Sequence, residues 1–88
     1  MISKHIILRG KVQGVGLRYS ARKKAAELLL KGYVKNLSNG AVEMMIEGAS
    51  ENVKEFLEWC KRGPSFSRVD EIVVEDSAET FDKFEIRY

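Results

Sequence analysis

A chain of 88 residues has room for one compact domain, expected over residues 1–88, that buries roughly 60 to 65 per cent of its unfolded surface and leaves no space for a second. A formal charge of +2 is too small for a general nucleic-acid binder, and no stretch approaches the roughly 20 apolar residues of a membrane span, so any basic function must come from local clustering. The single cysteine, Cys60, excludes an internal disulfide, and with no apolar signal segment behind Met1 a reducing cytoplasm is the expected location.

From Ile6 to Val12, Ile6, Leu8 and Val12 share one parity while His5, Arg9 and Lys11 take the other, the period of a strand with one wet face. A glycine-rich turn follows. Ala21, Ala25, Leu28 and Leu29 then recur at helical spacing among good helix formers, which predicts an amphipathic helix from Tyr19 or Ser20 to Leu30, closed by Gly32. Tyr33 to Ser38, then Asn39-Gly40, then Ala41 to Glu47 reads as an antiparallel hairpin, because Asn-Gly accepts the positive φ of a type I′ turn.

The second helix is punctuated at both ends. Ser50 is its expected cap, Glu51 sits in its first turn, Val53, Phe56, Leu57 and Cys60 form its apolar stripe, and Lys61, Arg62, Gly63 and Pro64 end it. Val69 to Glu75 reads as a strand, Asp76 to Asp82 as a turn region, and Phe84, Ile86 and Tyr88 as one face of a last strand. Right-handed crossovers place both helices of such a βαββαβ chain on one side of the sheet. The expected fold is therefore α+β, a ferredoxin-like sandwich of two helices on an antiparallel sheet with a short extra edge strand. That fold assigns no function.

The stretch from Gly10 to Lys24 carries the chemical signal: glycines at 10, 14 and 16, then Arg18, Arg22, Lys23 and Lys24. Gly14-Val15-Gly16 lacks the third glycine of a dinucleotide fingerprint, and no Gly-Lys-Ser/Thr ending makes a nucleotide P-loop. The physics common to both motifs survives, since a glycine-rich turn from strand to helix presents successive N–H groups to an anion at the positive end of the helix. Arg18 at that junction offers a planar fork matched to phosphate or carboxylate, and the three cations after it raise the local potential. On these residues alone the glycines equally serve to turn the chain, with the cations solvating a helix face.

The segments "GKVQGVGLRYSARKKA", "KGYVKN", "NGAVE" and "GPSFSRVDE" together resemble the acylphosphatase family, whose signature is a V-Q-G-V-x-F-R loop and a later G-W-V-x-N strand. The resemblance spans essentially the whole chain and implies an enzyme that hydrolyses acyl phosphates to carboxylate and inorganic phosphate. It assigns the phosphate to the loop Gln13, Gly14, Val15, Gly16, Leu17 and Arg18, makes Arg18 and Asn36 the catalytic residues, and gives Asn36 the attacking water. Leu17 and Tyr33 stand where the family usually has phenylalanine and tryptophan, and Leu29 where a glycine commonly ends the first helix. The first two keep apolar bulk; the third removes an easy left-handed cap.

Such chemistry explains the lack of an acid, base or nucleophile in the loop. The leaving carboxylate has a pKa near about 4 and departs without a proton donor, and fixed N–H dipoles with a guanidinium can hold the phosphoryl oxygens without a metal or cofactor. The expected partners are a small-molecule acyl phosphate and inorganic phosphate as product and competitive inhibitor, with no nucleic acid, no membrane and a monomeric state. His5, with no cysteine or second histidine near it in sequence, reads as a surface imidazole, and Cys60 as a core residue. An RNA-recognition fold lacks its row of stacking aromatics here, and a noncatalytic or regulatory phosphate-binding module is the alternative that acylphosphatase-like domains within larger enzymes suggest.

Overall fold

The computed structural model describes residues 1–88. Its elements are β1 (Ile2–Lys11), α1 (Leu17–Glu27), β2 (Lys31–Asn36), β3 (Val42–Gly48), α2 (Ser50–Arg62), β4 (Arg68–Ser77) and β5 (Phe84–Arg87). The strands form one sheet in the order β4-β1-β3-β2-β5. All neighbours are antiparallel except β5, which joins β2 in parallel, so the ferredoxin-like sheet is mixed at that edge.

Register explains where the core lies. Ile6 faces Met44, Leu8 faces Val42 and Val34 also faces Met44, which puts the expected apolar parity of three strands on one side. Ala21 and Ala25 of α1 and Val53, Phe56 and Cys60 of α2 close over these residues in a single buried cluster, so both helices occupy the same face. Cys60 is fully buried there, and burial pushes its thiol pKa up, away from nucleophile chemistry. No helix is long and apolar enough to cross a membrane.

The element boundaries differ from expectation for local reasons. β1 begins at Ile2 because β3 and β4 supply partners that the residues 2–5 alone do not announce, with Ser3 opposite Glu47 and Ser77. Helix α1 starts at Leu17 and ends at Glu27, earlier at both ends than expected. Its C-terminus is a Schellman motif: Leu30 N–H donates to Ala25 O at 2.9 Å, Leu29 N–H to Ala26 O at 3.2 Å, and Leu29 takes the left-handed position at φ 56°. Gly32 does not close that helix. It lies within β2, where an added Cβ would come within 1.9 Å of the Met45 carbonyl oxygen.

The hairpin is where the sequence puts it, but not as a type I′ turn. Gly40 alone has positive φ, Gly40 N–H donates to Leu37 O and Leu37 N–H to Ala41 O, giving a three-residue loop that ends in a left-handed glycine. Ser50 is not the cap of α2: Ala49 holds that position, with Val53 N–H donating to its carbonyl, and Ser50 is the first helical residue. The helix-free face carries a polar network instead of an isolated surface imidazole, because His5 Nε2 lies 2.9 Å from Glu43 Oε2 and the Tyr33 hydroxyl donates to Glu43 Oε1 at 3.1 Å.

Candidate active site

At the start of α1 the loop after β1, the end of β2 and strand β5 meet that helix around a cleft of about 260 Å³, lined by Val12, Gly14, Gly16, Leu17, Arg18, Tyr19, Arg22, Asn36, Ile86 and Tyr88. The loop after β1 supplies the glycines. Gly14 and Gly16 have φ of 72° and 75°, a region that side chains rarely enter, and a Cβ on either would project into open space. Backbone therefore approaches the cleft bare.

The helix start is equally bare. Gly16 caps α1 without any side-chain hydrogen bond, and no acidic residue stands in the first turn. The usual neutralisers of a helix N-terminus, a polar cap and a carboxylate, are both missing, so the N–H groups and positive dipole end remain available to an anion. Leu17, Ala21 and Ala25 are the buried residues of α1, and the next residue round, Arg18, lines the cleft. No carboxylate pairs with Arg18; its guanidinium lies 4.8 Å from the centre of the Tyr88 ring.

Asn36 ends β2 with the same parity as core-facing Val34, on the helix side of the sheet. Its side chain makes no hydrogen bond within the protein. The turn beside it is made by other residues, with Asn39 Oδ1 accepting from Ala41 N–H at 3.0 Å. The Asn36 amide is thus half-buried, polar and uncommitted in the cleft lining that it shares with Arg18.

The structure gathers Gly14, Gly16, Leu17, Arg18 and Asn36 of the expected site and separates Gln13 and Val15 from the cleft lining. Gln13 turns its side chain the other way: Nε2 donates to Leu37 O at 2.7 Å and to Ala41 O at 2.8 Å, tying the loop to the β2–β3 turn. Lys24 is also drawn off, toward Glu27 and Glu55 at 3.9 and 3.7 Å. Tyr19, Ile86 and Tyr88 were not foreseen. Tyr19 follows Arg18 on α1, but Ile86 and Tyr88 reach the cleft only because β5 lies beside β2, a non-local pairing without a sequence signal of its own.

The acylphosphatase family model matches residues 4–86 of the chain. An acylphosphatase of Methylococcus capsulatus is 47% identical over 76 residues, covering 86% of this chain and 83% of the relative. The crystal structure of acylphosphatase from Bacillus subtilis superposes with a TM-score of 0.95 at 39% identity and full coverage of both chains. A full-length HypF, solved in phosphate- and nucleotide-bound form, contains the same fold at a TM-score of 0.92 and 31% identity; the match covers 99% of this chain and 12% of that one.

Proposed function

The chain belongs to the acylphosphatase family, and from that membership and the cleft we propose that it hydrolyses acyl phosphates to a carboxylate and inorganic phosphate at the junction of β1, α1 and β2. The observation that carries the assignment of residues is the convergence of two uncommitted polar side chains, Arg18 and Asn36, on a turn whose Gly14 and Gly16 leave backbone exposed.

Arg18 and the N–H groups between Gln13 and Arg18 hold the phosphoryl oxygens, and the helix dipole adds to their field. Asn36 holds a water in line with the scissile P–O bond, which converts part of the entropic barrier into binding. Attack forms the new P–O bond as the carboxylate leaves with the bonding pair. A phosphoryl oxygen of the substrate takes the water proton, since no Asp, Glu or His lines the cleft. The cationic fork and N–H dipoles supply the charge stabilisation that a metal would otherwise give.

On this reading residues 1–88 act as one domain, a monomer working in the cytoplasm, with inorganic phosphate as product and competitive inhibitor. Hydrolysis of benzoyl phosphate, with and without a chelator, by wild type and Arg18→Ala tests it. Turnover that survives the chelator and falls about 10²- to 10³-fold in the variant is the expected result. Full turnover by a folded Arg18→Ala protein would remove Arg18 from the mechanism, and a wild type unable to hydrolyse the substrate would favour a noncatalytic phosphate-binding module.

A further inference from the structure

Arg22 is a second guanidinium in the cleft, to which the proposed hydrolysis gives no role. It stands one helical turn beyond Arg18 on the same flank of α1, lines the same cleft, and pairs with no carboxylate; its guanidinium carbon lies 5.5 Å from the centre of the Tyr19 ring. Like charges at this i, i+4 spacing destabilise a helix, and the first turn holds no acid to offset them. Lys24, on the same helix, does find carboxylates. Arg18 and the loop N–H groups already surround the place of the phosphoryl group, and Arg22 adds a second unpaired cation one turn farther along the same cleft.

We propose that Arg22 is a specificity-determining residue that receives a second anionic group on the acyl portion of the substrate, so that this cleft prefers acyl phosphates with a carboxylate or phosphate at the far end over neutral ones. The inference rests on the reading of the cleft as an acyl phosphate site. Arg18 and the loop take the transferred phosphoryl group, which leaves the acyl chain to run outward along α1. Successive turns of a helix are about 5.4 Å apart, a reach that places the Arg22 fork beside a substituent several bonds from the scissile oxygen. Tyr19 and Tyr88, both exposed, flank that path and offer faces for the intervening carbons.

The test compares kcat/KM for 3-carboxybenzoyl phosphate with that for its neutral isostere, 3-carbamoylbenzoyl phosphate. Wild type is expected to favour the carboxylate about tenfold, the scale of one charge-assisted contact at an open site. In Arg22→Gln the ratio falls to near one, through KM more than kcat, and Arg22→Lys restores part of it. Lys23→Gln is the control, because Lys23 is an exposed neighbour of equal charge outside the cleft lining. A ratio unchanged in Arg22→Gln, or an equal fall in Lys23→Gln, overturns the proposal while leaving acyl phosphate hydrolysis standing. Failure of wild type to hydrolyse either compound would overturn the hydrolytic reading and this inference with it.

Discussion

The side-chain amide of Gln13 donates to the carbonyl oxygen of Leu37 at 2.7 Å, joining the cradle loop to the turn that follows Asn36. A second bond from the same nitrogen, to Ala41 O at 2.8 Å, makes the glutamine a clamp between the two halves of the candidate site. Gln13→Leu removes both bonds while Leu37 O keeps Gly40 N–H and Ala41 O keeps Leu37 N–H, so no carbonyl is stranded, and the loss of the two bonds costs about 1 kcal/mol and lowers the thermal midpoint by roughly 6 °C. Turnover of the folded fraction should fall as well, because the loop and Asn36 lose their fixed spacing. Thermal melts and benzoyl phosphate kinetics on one preparation check both; an unchanged midpoint would mean that the clamp is idle.

Leu29 offers the opposite outcome, a substitution that stabilises. It holds the left-handed position of the α1 Schellman motif at φ 56°, a conformation that costs a side-chain-bearing residue about 1 kcal/mol or more, and it is 78% exposed, so its side chain gains little by packing. Leu29→Gly should therefore raise stability by roughly 0.5 kcal/mol after the extra entropy of glycine in the unfolded chain is offset. Denaturant titration resolves the sign, and a destabilised variant would show that Leu29 has a packing role.

Leu29 also shows how far the sequence was readable. The helix period in Ala21 and Ala25, the Asn-Gly hairpin and the Gly63 stop of α2 are local signals, and each element appears close to its expected place. Whether a leucine accepts a left-handed cap depends on Leu30 being buried beyond it, which is tertiary information. The site divides in the same way. Arg18, Gly14 and Gly16 follow from turn and anion chemistry, and Asn36 from the family resemblance, whereas Tyr88 reaches Arg18 only through the parallel docking of β5 on β2. Gln13 lies in the loop expected to cradle phosphate through its backbone N–H groups, while its side chain is taken by the hairpin, because two carbonyls lie within its reach that only the folded chain brings near.

The network on the helix-free face predicts a change of stability at both ends of the pH range. Burial, reinforced by the charge of Glu43, pushes the Tyr33 phenol up to about 12, whereas an unfolded tyrosine ionises near about 10. Its contribution to stability is complete below about pH 10 and is lost as pH rises through about 12. The hydrogen bond with His5 holds Glu43 below the usual carboxylate range despite its partial burial, so its contribution is present above the ordinary glutamate pKa and is lost as pH falls through the lower, folded value. In Glu43→Gln the late phenol should titrate earlier, read as phenolate absorbance among three tyrosines, and the stability gap from wild type should narrow in acid. A late phenol that does not move would mean that burial alone sets it.

Asn36→Ala separates chemistry from binding and from folding. Its amide makes no hydrogen bond within the protein, and Asn39 already serves the neighbouring turn, so alanine should leave the thermal midpoint within a few degrees of wild type. Its proposed partner is the attacking water, a contact that matters most in the transition state. Removing such a contact costs about 10²- to 10³-fold in kcat, while inhibition by inorganic phosphate, which depends on Arg18 and the loop, stays nearly constant. Arg18→Ala should weaken both quantities, and the contrast between the two variants assigns water to one side of the cleft and phosphate to the other. Measuring kcat, the phosphate inhibition constant and the melting temperature on the same Asn36→Ala sample decides the matter: a less stable enzyme with full turnover would make Asn36 a structural residue, and a large rise in the inhibition constant would place its amide on the phosphate instead of the water.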